Sequence, residues 1–210
     1  RRTTWAEQTE EIVVNTDEFI EKEPLTIILS AMGWIRAAKG TLDLNGLDLK
    51  FKEGDELQFA FHAMSTDKIN LFTSGGKMFT LAANELPSAR GFGESVRLMA
   101  DIGADENIVR AFVLNTGAKY LVVGRHGTGF IVSGENCLAQ TKNGKQVMNT
   151  DTANPAIMCV PVIGDTIAMS GSNDKLLIFK TDEIPEMTRG KGVILQKYNA
   201  DRTYVLDVMF

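Results

Sequence analysis

Hydrophobic residues along this chain occur in short runs, either continuous or alternating with polar residues, as at residues 26–29 and 120–123. Glycine, asparagine and aspartate bound most of these runs. The pattern is typical of β-strands, and long stripes with the 3.6-residue period of a helix are scarce. Residues 87–99 have room for one turn of helix, but their glycines favour a loop. The pattern therefore predicts an all-β protein.

The pattern also repeats along the chain. Residues 69–93 align with residues 120–144 without a gap, and residues 167–192 align with both after one inserted residue. Residues 29–40 supply the turn of a first copy. Each copy centres on a tight hairpin turn at a residue type that tolerates a positive φ. The turn positions are Gly33, Gly76, Gly127 and Asp174, which lie 43, 51 and 47 residues apart.

A period in the mid-forties, with about four strands in each unit, is the scale of a propeller blade. One blade cannot bury both of its faces, so neighbouring blades must stack to form the core. We therefore predict a propeller-like disc of four visible blades. The final residues, 199–210, are a candidate for the start of a further blade. The repeats are predicted near residues 24–60, 67–99, 118–150 and 164–197.

Charge divides the chain into two predicted parts. Its 210 residues carry a formal net charge of −5, yet residues 1–24 alone hold seven acidic and three basic side chains, a net of −4. We interpret residues 1–23 as an acidic connector from a catalytic core that lies outside this sequence, and residues 24–210 as a nearly neutral domain. A neutral domain can still carry a basic face, because the field depends on where charges cluster. No apolar run is long enough to span a membrane, and no signal peptide is recognisable.

The motifs of common catalytic and metal sites are absent from the sequence. The two histidines, His62 and His126, are 64 residues apart, and no HExxH, CxxC, GxSxG or GxxxxGK[ST] pattern occurs. Cys137 and Cys159 lie in apolar surroundings, where buried reduced thiols are expected and a disulfide between them is the alternative. We predict no catalytic residue, no metal site and no cofactor in this part of the chain.

Basic residues recur near the hairpins and in a glycine-containing loop after each repeat. Equivalent positions of stacked blades lie on one rim, so these charges predict an interrupted basic belt. Lysine and arginine neutralise phosphates, and glycines let backbone N–H groups approach them, so the belt suits a nucleic acid. Ordinary solvated surface charge is the alternative. The predicted DNA-binding residues are Arg36, Lys39, Lys77, Arg90, Arg97, Arg125, Lys142, Lys145, Lys175, Arg189 and Lys191.

Two stretches carry a family resemblance: EPLTIILSAMGWIRAAKGTLDLNGLDLKFKEGDEL at residues 23–57 and LPSARGFGE at residues 86–94. They resemble the C-terminal domains of bacterial DNA topoisomerase IV A subunits, which are related to those of DNA gyrase A subunits. The resemblance implies a β-pinwheel, a propeller-shaped disc whose convex rim binds and bends duplex DNA. The residues that match the family's rim positions best are Arg36, Lys39, Lys77 and Arg90.

The sequence departs from that family pattern in two ways. The gyrase domain carries a basic box of the form QRRGGKG, of which only fragments occur here, KNGK at residues 142–145 and RGKG at residues 189–192. The resemblance therefore implies bending of DNA rather than full wrapping. The topoisomerase IV domain also commonly has about five blades, whereas four repeats are visible in this sequence.

The resemblance further implies a non-catalytic domain within an ATP-dependent isomerase. The parent enzyme would use Mg²⁺ and ATP, with duplex DNA, the rest of a dimeric A subunit and the B subunit as partners and with no membrane. It would act in the cytoplasm on the chromosome, in strand passage, decatenation, supercoil relaxation and chromosome segregation. A propeller that binds proteins is the alternative function, because one fold serves many functions.

Overall fold

The strands of the computed structural model form four antiparallel sheets, and the structure describes residues 21–45, 49–198 and 203–210. The prediction of an all-β, propeller-like fold is confirmed. Residues 1–20 lie outside the described part, so the connector at residues 1–23 stays a prediction. Within the described ranges, no helix has the length and apolar character needed to cross a membrane.

Each sheet forms one blade and is built on a hairpin. The hairpins are β1 (Pro24–Ser30) with β2 (Trp34–Lys39), β4 (Lys68–Thr73) with β5 (Lys77–Ala82), β8 (Lys119–Gly124) with β9 (Thr128–Ser133), and β12 (Thr166–Gly171) with β13 (Leu176–Lys180). A third strand pairs with the first strand of each hairpin. These third strands are β3 (Leu57–Met64), β7 (Ile108–Val113), β11 (Ala156–Pro161) and β15 (Val205–Met209).

Three blades gain a fourth strand from the next repeat in the sequence. These closing strands are β6 (Glu94–Ser95), β10 (Lys145–Gln146) and β14 (Val193–Ile194), which pair with β2, β5 and β9 respectively. The blades are therefore β3-β1-β2-β6, β10-β5-β4-β7, β11-β8-β9-β14 and β13-β12-β15. Each closing strand follows the hairpin of one blade and completes the preceding blade, so the repeats of the sequence do not coincide with the blades.

The hairpin turns explain why the sequence repeats its glycines. The predicted positive φ is confirmed at all four turn positions, with values from 58° to 82°. Gly76 also lies directly against the segment that follows β10. A Cβ atom at Gly76 would clash with the Met148 carbonyl oxygen. The carbonyl of Gly76 accepts hydrogen bonds from the N–H groups of Val147 and Met148, at 3.0 and 2.9 Å. Glycine at this turn therefore allows the closing strand to dock.

The core lies between the blades. Successive residues of a strand point to opposite faces, and Leu71 and Phe72 of β4 accordingly enter different clusters. Leu71 packs with residues of the first blade such as Ile27, and Phe72 packs with residues of the third blade such as Val122. A third cluster joins the third and fourth blades. Each inner blade is thus buried on both faces, as stacked repeats require.

The two edges of each blade face different surroundings. Strand β7 contacts both β3 and β11, so the third strands of neighbouring blades meet on one side of the molecule. The closing strands occupy the opposite edge of their sheets. The segments that lead into the closing strands therefore lie along an outer rim. We call residues 88–93, 141–144 and 188–192 the first, second and third outer loops.

Three local predictions can be compared with the structure. The tail does not begin a further blade, because β15 pairs with β12 inside the fourth sheet. One helical turn does form in the segment predicted to be a loop, as α1 (Val96–Met99), and a second short helix, α2 (Gly134–Cys137), follows β9. Cys137 and Cys159 are free and buried, which confirms the reduced thiols. Burial raises the pKa of the Cys137 thiol to about 12.

Candidate nucleic-acid interface

The segments that lead into the first and third outer loops are held against the blades that these loops close. In the first, the N–H of Ala37 donates to the Pro87 carbonyl at 2.8 Å, and the N–H of Ala89 donates to the Ala37 carbonyl at 3.1 Å. The third follows the same scheme: the N–H of Ile131 donates to the Pro185 carbonyl at 3.0 Å, and Met187 donates back at 2.8 Å. These bonds between neighbouring repeats fix the positions of the first and third outer loops on the rim.

The outer loops carry the exposed positive charge of the predicted belt. Arg90 in the first loop, Lys142 in the second, and Arg189 and Lys191 in the third are exposed, and Lys145 at the start of β10 is half-buried. Ion pairs within the described ranges are Lys39–Glu23, Lys119–Glu186 and Lys180–Asp165, so no carboxylate there neutralises a loop cation. The cations remain available for a polyanion.

Arg36 occupies a different position from the exposed cations. Its side chain is only 4% exposed, although it carries a full charge. The guanidinium donates to the Gly91 carbonyl in the first outer loop and to the Lys50 carbonyl at 2.9 Å, and it lies 5.3 Å from the centre of the Phe51 ring. Burial lowers its pKa. Arg36 therefore supports the first outer loop from beneath, and direct contact with DNA stays a prediction.

Arg97 and Lys39 likewise have partners within the protein. The guanidinium of Arg97 donates to four carbonyls, those of Ile102, Gly103, Ala104 and Glu106. It thus orders the segment between α1 and β7. The ammonium of Lys39 contacts the Glu23 carboxylate at 3.0 Å on the exposed surface. The structure brings neither residue into an outer loop.

The remaining predicted residues lie at the hairpins. Lys77 begins β5 and is half-buried, and Lys175 is exposed beside the turn of the fourth blade. Arg125 is exposed in the turn of the third blade, where its guanidinium lies 4.7 Å from the centre of the Tyr204 ring. This contact joins that turn to the fourth blade. All three follow or occupy a hairpin turn. Lys77 and Arg125 belong to blades that a closing strand completes, whereas Lys175 begins the outer side of the fourth blade, where no described strand pairs with β13.

Sequence reasoning missed two lysines in the first blade, one beside the first outer loop and one beside Trp34. Lys50 borders the same groove as Arg90 and is exposed. The ammonium of Lys52 lies over the Trp34 ring, 3.2 Å from its centre, which is a cation–π contact. Both residues belong to the segment between β2 and β3, in which no strand is described, whereas the equivalent segments of the other repeats contain the closing strands β6, β10 and β14. Repeat alignment could not find them, although their alternation with Phe51 offered a local signal.

The described ranges hold no group of three His, Cys, Asp or Glu side chains that could bind a metal ion. Tyr120 is buried between the blades, where it stacks on Phe112 with ring centres 4.8 Å apart. Burial raises the pKa of the Tyr120 phenol and that of Tyr198. These positions agree with a packing role for both tyrosines. The distinctive chemistry of this surface is its exposed cations and the glycine-containing loops that present them.

Two segments of the chain, residues 67–115 and 165–205, match a family described as the DNA gyrase C-terminal domain, beta-propeller. The chain is 47% identical over 182 residues to the A subunit of DNA topoisomerase 4 from Caulobacter vibrioides and 45% identical over 200 residues to that from Rickettsia felis. These alignments cover 87% and 94% of the chain, which spans about a quarter of the length of either relative, 24% and 27%. The chain belongs to the DNA gyrase A C-terminal domain family.

Solved structures agree on the fold of this gyrase A-type domain. The Escherichia coli ParC C-terminal domain superposes with a TM-score of 0.81 at 23% identity, over 89% of this chain and 78% of that one. A DNA gyrase A C-terminal domain gives a TM-score of 0.64 at 17% identity, over 89% and 64% of the two chains. The family match includes the first and third outer loops and omits the second.

Proposed function

We propose that this gyrase A-type domain binds duplex DNA along its outer rim and bends it, as a non-catalytic part of the topoisomerase IV A subunit. The observation that carries the proposal is the set of three outer loops, each of which presents exposed lysine or arginine at the same edge of a blade. A stiff polyanion that follows this edge would contact the loops in turn. Phosphate contacts carry no base code, so the binding is expected to tolerate any sequence.

Bending follows from the spacing of the cations around the stacked blades. A straight duplex touches a curved rim at one place, and DNA must curve to reach the loops of neighbouring blades. Bending a short duplex costs of order 1–6 kcal/mol, which the additional phosphate contacts offset. The neutral domain and the small number of loop cations favour modest affinity, within or below roughly 10⁻⁴–10⁻⁶ M at physiological salt.

In the parent enzyme the domain would hold DNA for strand passage and so support decatenation and supercoil relaxation. The partners proposed are duplex DNA, the rest of a dimeric A subunit, and the B subunit. ATP and Mg²⁺ would serve the assembled isomerase, in the cytoplasm and on the chromosome. Relatives named as A subunits of DNA topoisomerase 4 support this assignment, because the similarity extends over most of the chain.

The proposal is tested by titrating the domain into a fluorescent duplex of about 40 base pairs at two salt concentrations. Four loop cations that each neutralise a phosphate predict that affinity falls roughly 10²-fold between 50 and 200 mM salt. The triple variant R90E/K142E/R189E should lose most of the binding. Wild-type protein that fails to bind at the lower salt would contradict the proposal.

A control variant with the same change of net charge separates the effect of the outer loops from the effect of net charge. Arg110 is exposed on β7, at the inner edge of the second blade. R110E should therefore leave affinity within about twofold, and R90E alone should weaken binding and reduce its salt dependence. Equal losses in R110E and R90E would mean that net charge, rather than the outer loops, governs the interaction.

A further inference from the structure

The first outer loop differs from the other two in the side chain at its tip. Phe92 stands there and is 45% exposed, a high value for a phenylalanine. The aligned positions are Asn143 in the second loop and Lys191 in the third. A large apolar side chain therefore projects from the rim at one of the three loops, in the middle of a cationic surface.

The backbone around Phe92 is fixed at both ends and in the middle. The bonds between Ala37 and its partners Pro87 and Ala89 hold the start of the loop. After the tip, Gly93 has a φ of 87° and packs so closely that a Cβ atom there would clash with the Ile35 carbonyl oxygen. Between these points the buried Arg36 binds the carbonyl of Gly91, the residue before Phe92.

The surroundings of the tip combine apolar and cationic groups. Phe92 borders a groove with apolar walls that include Leu42 and Leu49. Arg90 and Lys50 border the same groove and are exposed. The ring of Phe92 is thus partly covered and partly exposed, and two exposed cations border the same groove. An exposed aromatic ring with cations nearby is suited to contact a DNA base step, because the cations can bind the phosphates of that step.

We infer that Phe92 is a wedge that inserts between base pairs of the bound duplex and kinks it at the first blade. Proteins that bend DNA commonly insert phenylalanine or another apolar side chain at a base step, and unstacking costs a few kcal/mol per step. The inference rests on the proposed DNA binding and assigns the bend to one residue. Arg36 is the positioning residue that holds the wedge, and Arg90 and Lys50 hold the flanking phosphates.

The test uses a 40-base-pair duplex that contains TA steps, carries 2-aminopurine beside them, and has donor and acceptor dyes at its ends. TA steps unstack easily and favour a wedge. Wild-type protein should raise 2-aminopurine fluorescence at least twofold and increase energy transfer between the ends. The variant F92N, which copies the second loop, should leave both signals near those of free DNA and weaken binding no more than about threefold. F92L should retain most of both signals.

The outcomes separate the wedge from DNA binding itself. Leu98, exposed in α1 outside the loops, supplies the control L98N, which should match wild type. If wild-type protein binds DNA and F92N gives the same fluorescence and energy transfer, the wedge is refuted while DNA binding stands. If wild-type protein does not bind the duplex at all, the proposed function fails and the wedge fails with it.

Discussion

The second and fourth blades share a hairpin plan and differ at the edge that faces the outer rim. In the second blade, β10 pairs with β5, and Met78 and Phe79 of β5 are fully buried. In the fourth blade no described strand pairs with the outer side of β13. Leu176 and Ile178 of β13 are 63% and 61% exposed. The same repeat therefore gives a completed sheet in one place and an open one in another.

The turn residues show how the difference is built into the chain. Gly76 leaves space that the Met148 carbonyl fills, whereas the fourth blade has Asp174 at the aligned position, with a φ of 58°. Aspartate tolerates this backbone conformation but brings a Cβ and a carboxylate. A closing segment that approached as β10 does would meet that side chain. The fourth blade is thus not shaped to receive a closing strand in the manner of the second.

The exposed edge of β13 also bears on association. A strand edge with unpaired N–H and C=O groups and apolar side chains favours pairing with other chains, and charged residues at the edge oppose it. Lys175 and Lys180 flank the apolar part of β13, and Lys180 is paired with Asp165 at 3.3 Å. The flanking lysines therefore limit non-specific association at this edge.

The largest expected contrast comes from the same substitution in both blades. Ile69 is fully buried between the first and second blades, and Ile178 is exposed. Ile69→Ala should lower the free energy of unfolding by about 2–5 kcal/mol, because it leaves a cavity in a packed core. Ile178→Ala should change it by no more than about 0.5 kcal/mol. Urea titrations measure both; similar losses would show that β13 is covered in solution.

Exchange of the turn residues should give the next largest effect. Gly76→Asp forces a Cβ against the Met148 carbonyl and should destabilise the protein by about 3 kcal/mol, from that clash and the loss of two backbone hydrogen bonds. Asp174→Gly should change the free energy of unfolding by less than about 1 kcal/mol. If Gly76→Asp left the free energy of unfolding unchanged, the closing strand would not need glycine at this turn.

Hydrogen exchange gives a smaller contrast without any substitution. Amides of β5 lie within a four-stranded sheet, and β13 is an edge strand with exposed side chains. Strands with few buried contacts open at lower free energy, so the amides of β13 should exchange at least about tenfold faster than those of β5. Equal protection of the two strands would contradict the open edge.

The smallest effect is expected from the ion pair between Lys180 and Asp165. Both side chains are exposed, and solvent and salt screen such pairs so strongly that they contribute little to stability. Hydrogen bonds from Thr166 and Lys180 lower the pKa of Asp165 below its ordinary value. Lys180→Met should therefore leave the thermal midpoint nearly unchanged at pH 7. A large loss would show that the pair supports the fourth blade more than its exposure suggests.

Hydrophobic alternation and the recurring turns were enough to predict four hairpins, because both signals act over a few residues. The pairing of each closing strand with the preceding blade could not be predicted in the same way. Strands β6, β10 and β14 are two residues long and too short to show a period. Their pairing is decided by contacts with a strand some 60–70 residues earlier in the chain, as between Ser95 and Trp34.

The candidate interface also combines features that local sequence predicts with features that depend on distant contacts. Arg90, Lys142 and Arg189 were found because repeat alignment places glycine-containing loops at equivalent positions. The roles of Arg36 and Arg97 could not be predicted from the sequence. An arginine near a turn has the same sequence context whether its guanidinium faces solvent or binds backbone carbonyls. Lys50 and Lys52 were missed because they lie outside residues 29–40, the part of the first copy that the repeat alignment covers. Burial and hydrogen bonding distinguish these cases, and both depend on the folded neighbours.

The sequence by itself determined the all-β class, the hairpin turns and the surplus of basic residues after each repeat. Strand periodicity, positive-φ residues and charge are local properties, because each depends on a few adjacent residues. Only the tertiary structure decided which repeat completes which blade, which arginine is buried beneath a loop and which phenylalanine is left at the rim. Those outcomes depend on contacts between residues far apart in the chain, which packing selects when the blades stack.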